Sequence, residues 1–225
     1  MAARRSRGGA RKMSGRRIAV LASGRGSNFE ALCTADLGDA SVVLLATDNP
    51  KAEALIKAKR LGIEKAVFDP GAARGASPAG MEASIAALLE DRGIDLVCLA
   101  GFMRILKGPL LDRFEGRILN IHPSLLPSFP GLDAQARALE YGVRITGCTV
   151  HYVDAGTDTG PVVLQAAVPV LGTDTVESLS RRILREEHRI YPLAVRLHCE
   201  GSIRLDGRTV HFHGTDGIPG PLASL

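Results

Sequence analysis

No stretch of this chain approaches the roughly 18 consecutive apolar residues of a membrane-spanning helix, which excludes a helical membrane protein. No apolar signal-peptide core follows the basic N-terminus before Ile18. The four cysteines, at 33, 98, 148 and 199, form no Cys-x-x-Cys pair, which argues against a zinc site and against a secreted disulfide framework. Cys98 and Cys148 lie in apolar, strand-like runs where a reduced cysteine packs as a small hydrophobe. A reducing, cytoplasmic setting fits this usage. Three catalytic signatures are also missing: the Gly-Lys-Ser/Thr end of a Walker A loop, a Gly-x-Ser-x-Gly elbow, and His-Glu-x-x-His. Acid is missing from residues 1–17, which hold seven of the 28 basic residues. The remaining 21 stand against 24 acidic residues, so the formal charge of +4 comes from this leader. The rest is mildly acidic and carries no general nucleic-acid footprint.

What is present suits one α/β domain with a real core: 225 residues, 45% apolar, mean hydropathy near zero. Residues 1–16 read as a disordered basic leader, with Met13 an alternative start. Residues 17–213 read as a single domain, and 214–225, rich in Gly and Pro, as a flexible tail. Apolar runs at 17–21, 41–46, 65–68 and 95–100 read as strands. Helical patterns at 51–61, 81–89 and 109–114 alternate with them, and 70–80 reads as a loop. After residue 120 the order changes. A helix at 133–141 precedes two β-rich runs, 146–153 and 162–165, joined by a wide loop. A long helix then covers about 175–197, with a kink expected at Pro192. A hairpin at 202–213 turns at Asp206-Gly207. The pattern predicts a mostly parallel, Rossmann-like open sheet with helices on both faces and late antiparallel strands.

The most informative stretch is Asn120-Ile121-His122-Pro123-Ser124-Leu125-Leu126-Pro127. An apolar strand leads into it and prolines end regular structure after it. Alternation in an extended chain puts Asn120 and His122 on one side, at the carboxyl edge where open α/β sheets bind ligands. Asp158 follows in a loop flanked by Gly156 and Gly160. A lone histidine is more often a packed side chain, and a loop aspartate more often caps a turn. Together, however, the three make a polar site suited to acyl chemistry without a covalent intermediate. Asn120 and a protonated His122 would stabilise a tetrahedral oxyanion, and Asp158 would hold the imidazolium charged. A Ser-His-Asp hydrolase using Ser124 is the competing assignment, and a catalytically dead binding module a third. As metal ligands the trio is a weak set.

Two further stretches look like ligand loops. In Ser23-Gly24-Arg25-Gly26-Ser27-Asn28, a glycine-rich turn joins a strand to a helix, the layout of a phosphate cradle. Ser27 or Asn28 is the expected helix cap. Gly101-Phe102-Met103-Arg104-Ile105-Leu106 follows a strand end and suits a flat, partly apolar ligand.

These motifs, with Gly147 to His151, Asp158 to Gln165 and Glu187-His188-Arg189-Ile190-Tyr191-Pro192, resemble the phosphoribosylglycinamide formyltransferase family from about Arg17 to residue 205. The resemblance implies a formyltransferase fold in a cytoplasmic enzyme of purine biosynthesis. Such an enzyme passes a formyl group from 10-formyltetrahydrofolate to the amine of phosphoribosylglycinamide (GAR) without a metal. It implies that Gly26, Ser27 and Asn28 bind the substrate phosphate and Glu187 the ribose hydroxyls. Met103, Arg104, Ile105 and Leu106 would line the pterin pocket, largely through backbone groups, together with Asn120. His122 would be the proton donor, its pKa raised by Asp158. Small molecules are the expected partners, with no nucleic acid or membrane, in a monomer or homodimer. The family pattern fails at three points. Pro78 stands near the helix start where relatives usually carry Arg, the nearest basic residue being Arg74. Asp133 and Gln135 stand in a loop that often holds His. The basic leader has no family counterpart. Related enzymes that formylate transfer RNA or hydrolyse formyltetrahydrofolate carry extra domains for which the chain has no room.

Overall fold

The computed structural model describes residues 15–70 and 77–213. Most of the basic leader, Arg74 and the C-terminal tail lie outside the described residues. Seven strands form one sheet in the order β3-β2-β1-β4-β5-β6-β7. They are β1 (Arg17–Leu21), β2 (Ser41–Thr47), β3 (Glu64–Val67), β4 (Leu96–Leu99), β5 (Ile118–His122), β6 (Ile145–Tyr152) and β7 (Val162–Pro169). The first five are mutually parallel, and β6 and β7 join antiparallel. A separate hairpin, β8 (Ile203–Asp206) with β9 (Thr209–Phe212), closes the described chain with Gly207 at its turn. The expected mixed sheet is therefore found.

Side-chain alternation splits the interior into two cores. Ile18 and Val20 of β1 face one side with Cys98, Leu119 and Ile121. Ala19 and Leu21 face the other with Val97, Leu99 and Ile118. The first core is covered by α1 (Ser27–Thr34), α2 (Ala54–Leu61) and α6 (Val176–Cys199). The second is covered by α3 (Pro78–Asp91) and α4 (Pro109–Arg113). Strands buried on both faces read as continuous apolar runs, which is why β2 and β4 are so evident in the sequence.

Element ends are corrected in several places. β5 runs on to His122 rather than ending at Asn120, because β6 pairs with it as far as His122↔Thr149. The second helix begins at Ala54, after the Asn49-Pro50 turn has used three more residues. The third helix starts at Pro78 and not at Met81. Ser77 caps it by accepting Gly80 N–H at 3.1 Å, and proline suits a first turn whose N–H groups have no intrahelical partner. α5 (Ala134–Tyr141) covers the helix expected at 133–141 to within one residue and ends at left-handed Gly142. α6 runs as one helix through Pro192, which is buried against the first core.

Tyr191 ties α6 to the sheet. Its fully buried hydroxyl faces two strand carbonyls, Leu99 O at 2.9 Å and Leu119 O at 3.0 Å. It thereby fixes the helix beneath the carboxyl ends of β4 and β5. Tyr191→Phe removes the donor and leaves both carbonyls short of it, with little change in volume. The expected loss is about 1–2 kcal/mol in urea denaturation at an unchanged m-value. An unchanged midpoint would mean that the hydroxyl contributes nothing to the helix–sheet joint.

Candidate active site

The chain reverses direction across the sheet between β1 and β4, since β2 and β3 lie on one side and β4 and β5 on the other. Such a switch point opens a crevice at the carboxyl edge. The loop after β1 meets the loop after β4 there, with Ser23 N–H donating to Gly101 O at 3.1 Å. Beside it lies a cleft of about 590 Å³. Its lining includes Met103, Arg104, Ile105 and Leu106 together with Gly131, Leu132 and Asp158, and Asn120 and His122.

Pairing of β5 with β6 sets Asn120 opposite His151 and His122 opposite Thr149. Asn120 and His122 share the face of the second core, as alternation requires. Asp158 comes in from the β6–β7 loop in a left-handed conformation, φ 54°. Gly160 permits that loop, because a Cβ there would stand 1.8 Å from Tyr152 O. The carboxylate is the meeting point. Oδ2 accepts Gly131 N–H at 2.7 Å and lies 3.3 Å from His122 Nδ1. Oδ1 lies 3.4 Å from Asn120 Nδ2 and 3.6 Å from His151 Nε2. The far side of His122, Nε2, is 2.9 Å from Phe129 O. His151 Nδ1 sits 2.8 Å from Tyr152 O, an acceptor, so its proton is on Nδ1 and Nε2 accepts from Asn120 Nδ2 at 3.1 Å.

His151 is the site residue that sequence reasoning missed. The signal was present, since His151 alternates with Thr149. Its use depends on a strand register that spacing alone does not reveal.

Electrostatics correct one expectation. Burial lowers the His122 pKa, because a charged ring loses its hydration there. The Phe129 carbonyl and the Asp158 charge both push it up, but burial prevails, and the net direction is down rather than up. Burial would raise the Asp158 carboxyl. The Gly131 N–H and the neighbouring His122 and His151 rings outweigh it and hold the group below the usual carboxylate range.

Ser124 is no nucleophile. It is fully buried and its hydroxyl donates to Ser128 O at 2.5 Å, while its own carbonyl accepts the Thr149 hydroxyl. It clamps the proline loop.

Gly26, Ser27, Asn28 and Glu187 do not line the cleft. They form a second cluster where α1 meets α6. Neither Ser27 nor Asn28 is the helix cap. Gly26 is, at φ 68°, and no side chain bonds the cap. A Cβ on Gly26 would come within 2.6 Å of the Ala54 Cβ, so the close packing of α2 requires glycine. Asn28 instead turns inward and donates to Glu187 Oε2 at 2.7 Å, leaving its own Oδ1 buried without a partner. Burial raises the Glu187 pKa against the Asn28 hydrogen bond and the Arg25 charge. Pro78 opens α3 and supplies no cation. Asp133 and Gln135 both line the cleft, Asp133 preceding α5 at φ 56°. Among the described residues no cluster of three or more His, Cys, Asp or Glu could hold a metal ion, and no helix is long and apolar enough to cross a membrane.

Residues 16–195 match the family model described as formyl transferase. The phosphoribosylglycinamide formyltransferase of Bacillus subtilis is 42% identical over 184 residues, spanning 80% of this chain and 93% of the relative. The crystal structure of glycinamide ribonucleotide transformylase 1 from Symbiobacterium toebii superposes with a TM-score of 0.85 at 50% identity, covering 89% of this chain and 95% of that one. The trifunctional purine biosynthetic protein adenosine-3 of Gallus gallus is 45% identical over 84% of this chain, which spans 19% of that longer protein.

The opposed influences on His122 can be separated. In an NMR titration its ring should titrate below the ordinary histidine value, and Asp158→Asn should move the midpoint lower still by removing a charge that raises it. Because the folded-state value is depressed, stability from this group is intact above the unfolded histidine pKa and declines as pH falls below it. A midpoint that rises on Asp158→Asn would contradict the assigned contact.

Proposed function

The chain belongs to the formyl transferase family, and from that premise we propose that it transfers a formyl group from 10-formyltetrahydrofolate to the amine of GAR, a step of purine biosynthesis. The observation that carries this is the convergence of Asn120, His122 and Asp158 in a cleft that the 101–106 loop also lines. Met103 to Leu106 and Asn120 hold the pterin of the donor. The Arg104 guanidinium is turned to Asp48, which leaves backbone groups for the ligand. Gly26, Ser27 and Asn28 take the acceptor's phosphate at the start of α1, where free N–H groups and the helix dipole favour an anion. Glu187, with the unpartnered Asn28 Oδ1 beside it, accepts from the ribose hydroxyls. The single domain spans 17–213.

The chemistry is a direct displacement. The amine lone pair attacks the formyl carbon, the carbonyl oxygen becomes an oxyanion, and the C–N10 bond then breaks. One proton leaves the amine and one arrives at N10. Asn120 Nδ2 has one firm acceptor in His151 and a longer one in Asp158, so the second N–H can turn to the oxyanion. His122 lies between Asp158 and Phe129 O; the neutral ring donates to one of them and the imidazolium to both, and either way the ring is ordered. Its lowered pKa leaves the ring mostly neutral near neutral pH, so the proton it donates is one it takes up as charge develops on the substrate. The growing negative charge on the oxygen offsets the burial that disfavours the imidazolium. Asp158 stays ionised throughout and balances that charge.

Purified protein with 10-formyltetrahydrofolate should lose the formyl group only when GAR is added, without added metal. Loss without GAR would favour a hydrolase, and no loss by folded protein would favour a binding module. His122→Ala should lower kcat by about two to four orders of magnitude while the thermal midpoint stays close to that of the wild type. Normal turnover per folded molecule would remove His122 from the chemistry.

A further inference from the structure

The cleft wall between β4 and α4 has no regular structure, yet its course is fixed at both ends. Met103 N–H donates to Ser23 Oγ at 3.3 Å, and that hydroxyl donates onward to Asp48 Oδ1 at 2.6 Å. The second oxygen of Asp48 accepts Arg104 Nε at 2.7 Å. One carboxylate thus holds two consecutive residues of the loop, one through a serine and one directly. Asn49 Nδ2 fixes the serine by donating to Ser23 O at 2.9 Å. At the far end Lys107 N–H donates to both oxygens of buried Glu82, at 3.1 and 3.2 Å. None of Ser23, Asp48 or Glu82 lines the cleft. They reach a ligand there only by way of the loop.

We propose that Asp48 is a positioning residue for the formyl donor, an inference that rests on the functional reading above. Leu106 is buried in the second core and Phe102 packs against it, but Met103 and Ile105 between them are 68% and 55% exposed, so packing alone does not hold the middle of the loop. What holds that middle is a polarised chain from an amide to a hydroxyl to a carboxylate, in which each bond strengthens the next. The Asp48 side chain is only 11% exposed, so its charge is little screened and its pairing with Arg104 is more than a surface contact. A loop already ordered in its binding conformation spares the ligand the entropy of ordering it. Asp48→Asn keeps an acceptor for Ser23 but presents an amide to Arg104. Ser23→Ala cuts the chain in the middle. In either variant the backbone groups of 103–106 wander, and the donor binds more weakly.

Hydrogen exchange and steady-state kinetics on the full chain, for wild type and both variants, test this. Amides of 101–107 should exchange at least tenfold faster in each variant, with β4 and β5 unchanged. KM for 10-formyltetrahydrofolate should rise about tenfold, with kcat within threefold. Asn120 and His122 still meet the formyl group once the donor is bound, so a merely destabilised protein would not give this split. Unchanged exchange in the loop overturns the proposal. So does faster exchange at an unchanged donor KM, or a fall in kcat alone. If Asp48→Asn fails to fold, Ser23→Ala carries the same test. An inactive wild type would contradict the functional reading, and the exchange result would still decide whether Asp48 orders the loop. An active wild type with an unshifted donor KM in the variants contradicts the role of Asp48 alone.

Discussion

The Asp158 carboxylate is the interaction on which the site depends. It is brought in by a loop far along the chain, in a backbone conformation that few non-glycine residues adopt. It touches groups from three separate segments: His122 of β5, His151 of β6 and the Gly131 amide of the proline-rich loop. Without it, two imidazoles and an amide would share a buried wall with no charge to order them. Its depressed pKa follows from that company and keeps it ionised at neutral pH. The same carboxylate fixes which way the Asn120 and His122 side chains turn. Removing it would therefore change orientation as well as charge.

The sheet places these groups before any of them interacts. Five parallel strands with a reversal between β1 and β4 bring two loops to one edge, and the antiparallel addition of β6 sets His151 beside Asn120. The two proposed substrate subsites then fall on different structures. The cleft is lined by the 101–106 loop and the β6–β7 loop, while the cradle proposed for the acceptor is the start of α1 against α6. Ser23 stands between them, bonded on one side to Gly101 and Met103 and on the other to Asp48.

Much of this was legible in the sequence because it depends on short-range periodicity. The apolar runs of β1, β2 and β4 and the glycine ends of α2 and α5 lie within a few residues of their cause. The shared side of Asn120 and His122 follows from alternation alone. What was hidden depends on pairing between distant segments. His151 enters the site only through the β5–β6 register, and Asn28 abandons the expected cap because Glu187, 159 residues away, offers a better partner. The sign of the His122 shift could not be read either. It follows from how deeply the fold buries the ring, and the neighbouring acid alone pointed the other way. The start of α3 is hidden for a local reason: Pro78 looks like a loop residue unless Ser77 is recognised as its cap.

If Asp158 and His122 act as one unit in formyl transfer, their contributions to turnover cannot be independent. The direct measurement is a double-mutant cycle on kcat with His122→Ala, Asp158→Asn and the double variant. A functional pair predicts that the double variant is little worse than the poorer single one, because the second change removes a group whose partner is already gone. Losses that multiply, each change acting in full whatever the other residue is, would contradict the idea that Asp158 works through His122.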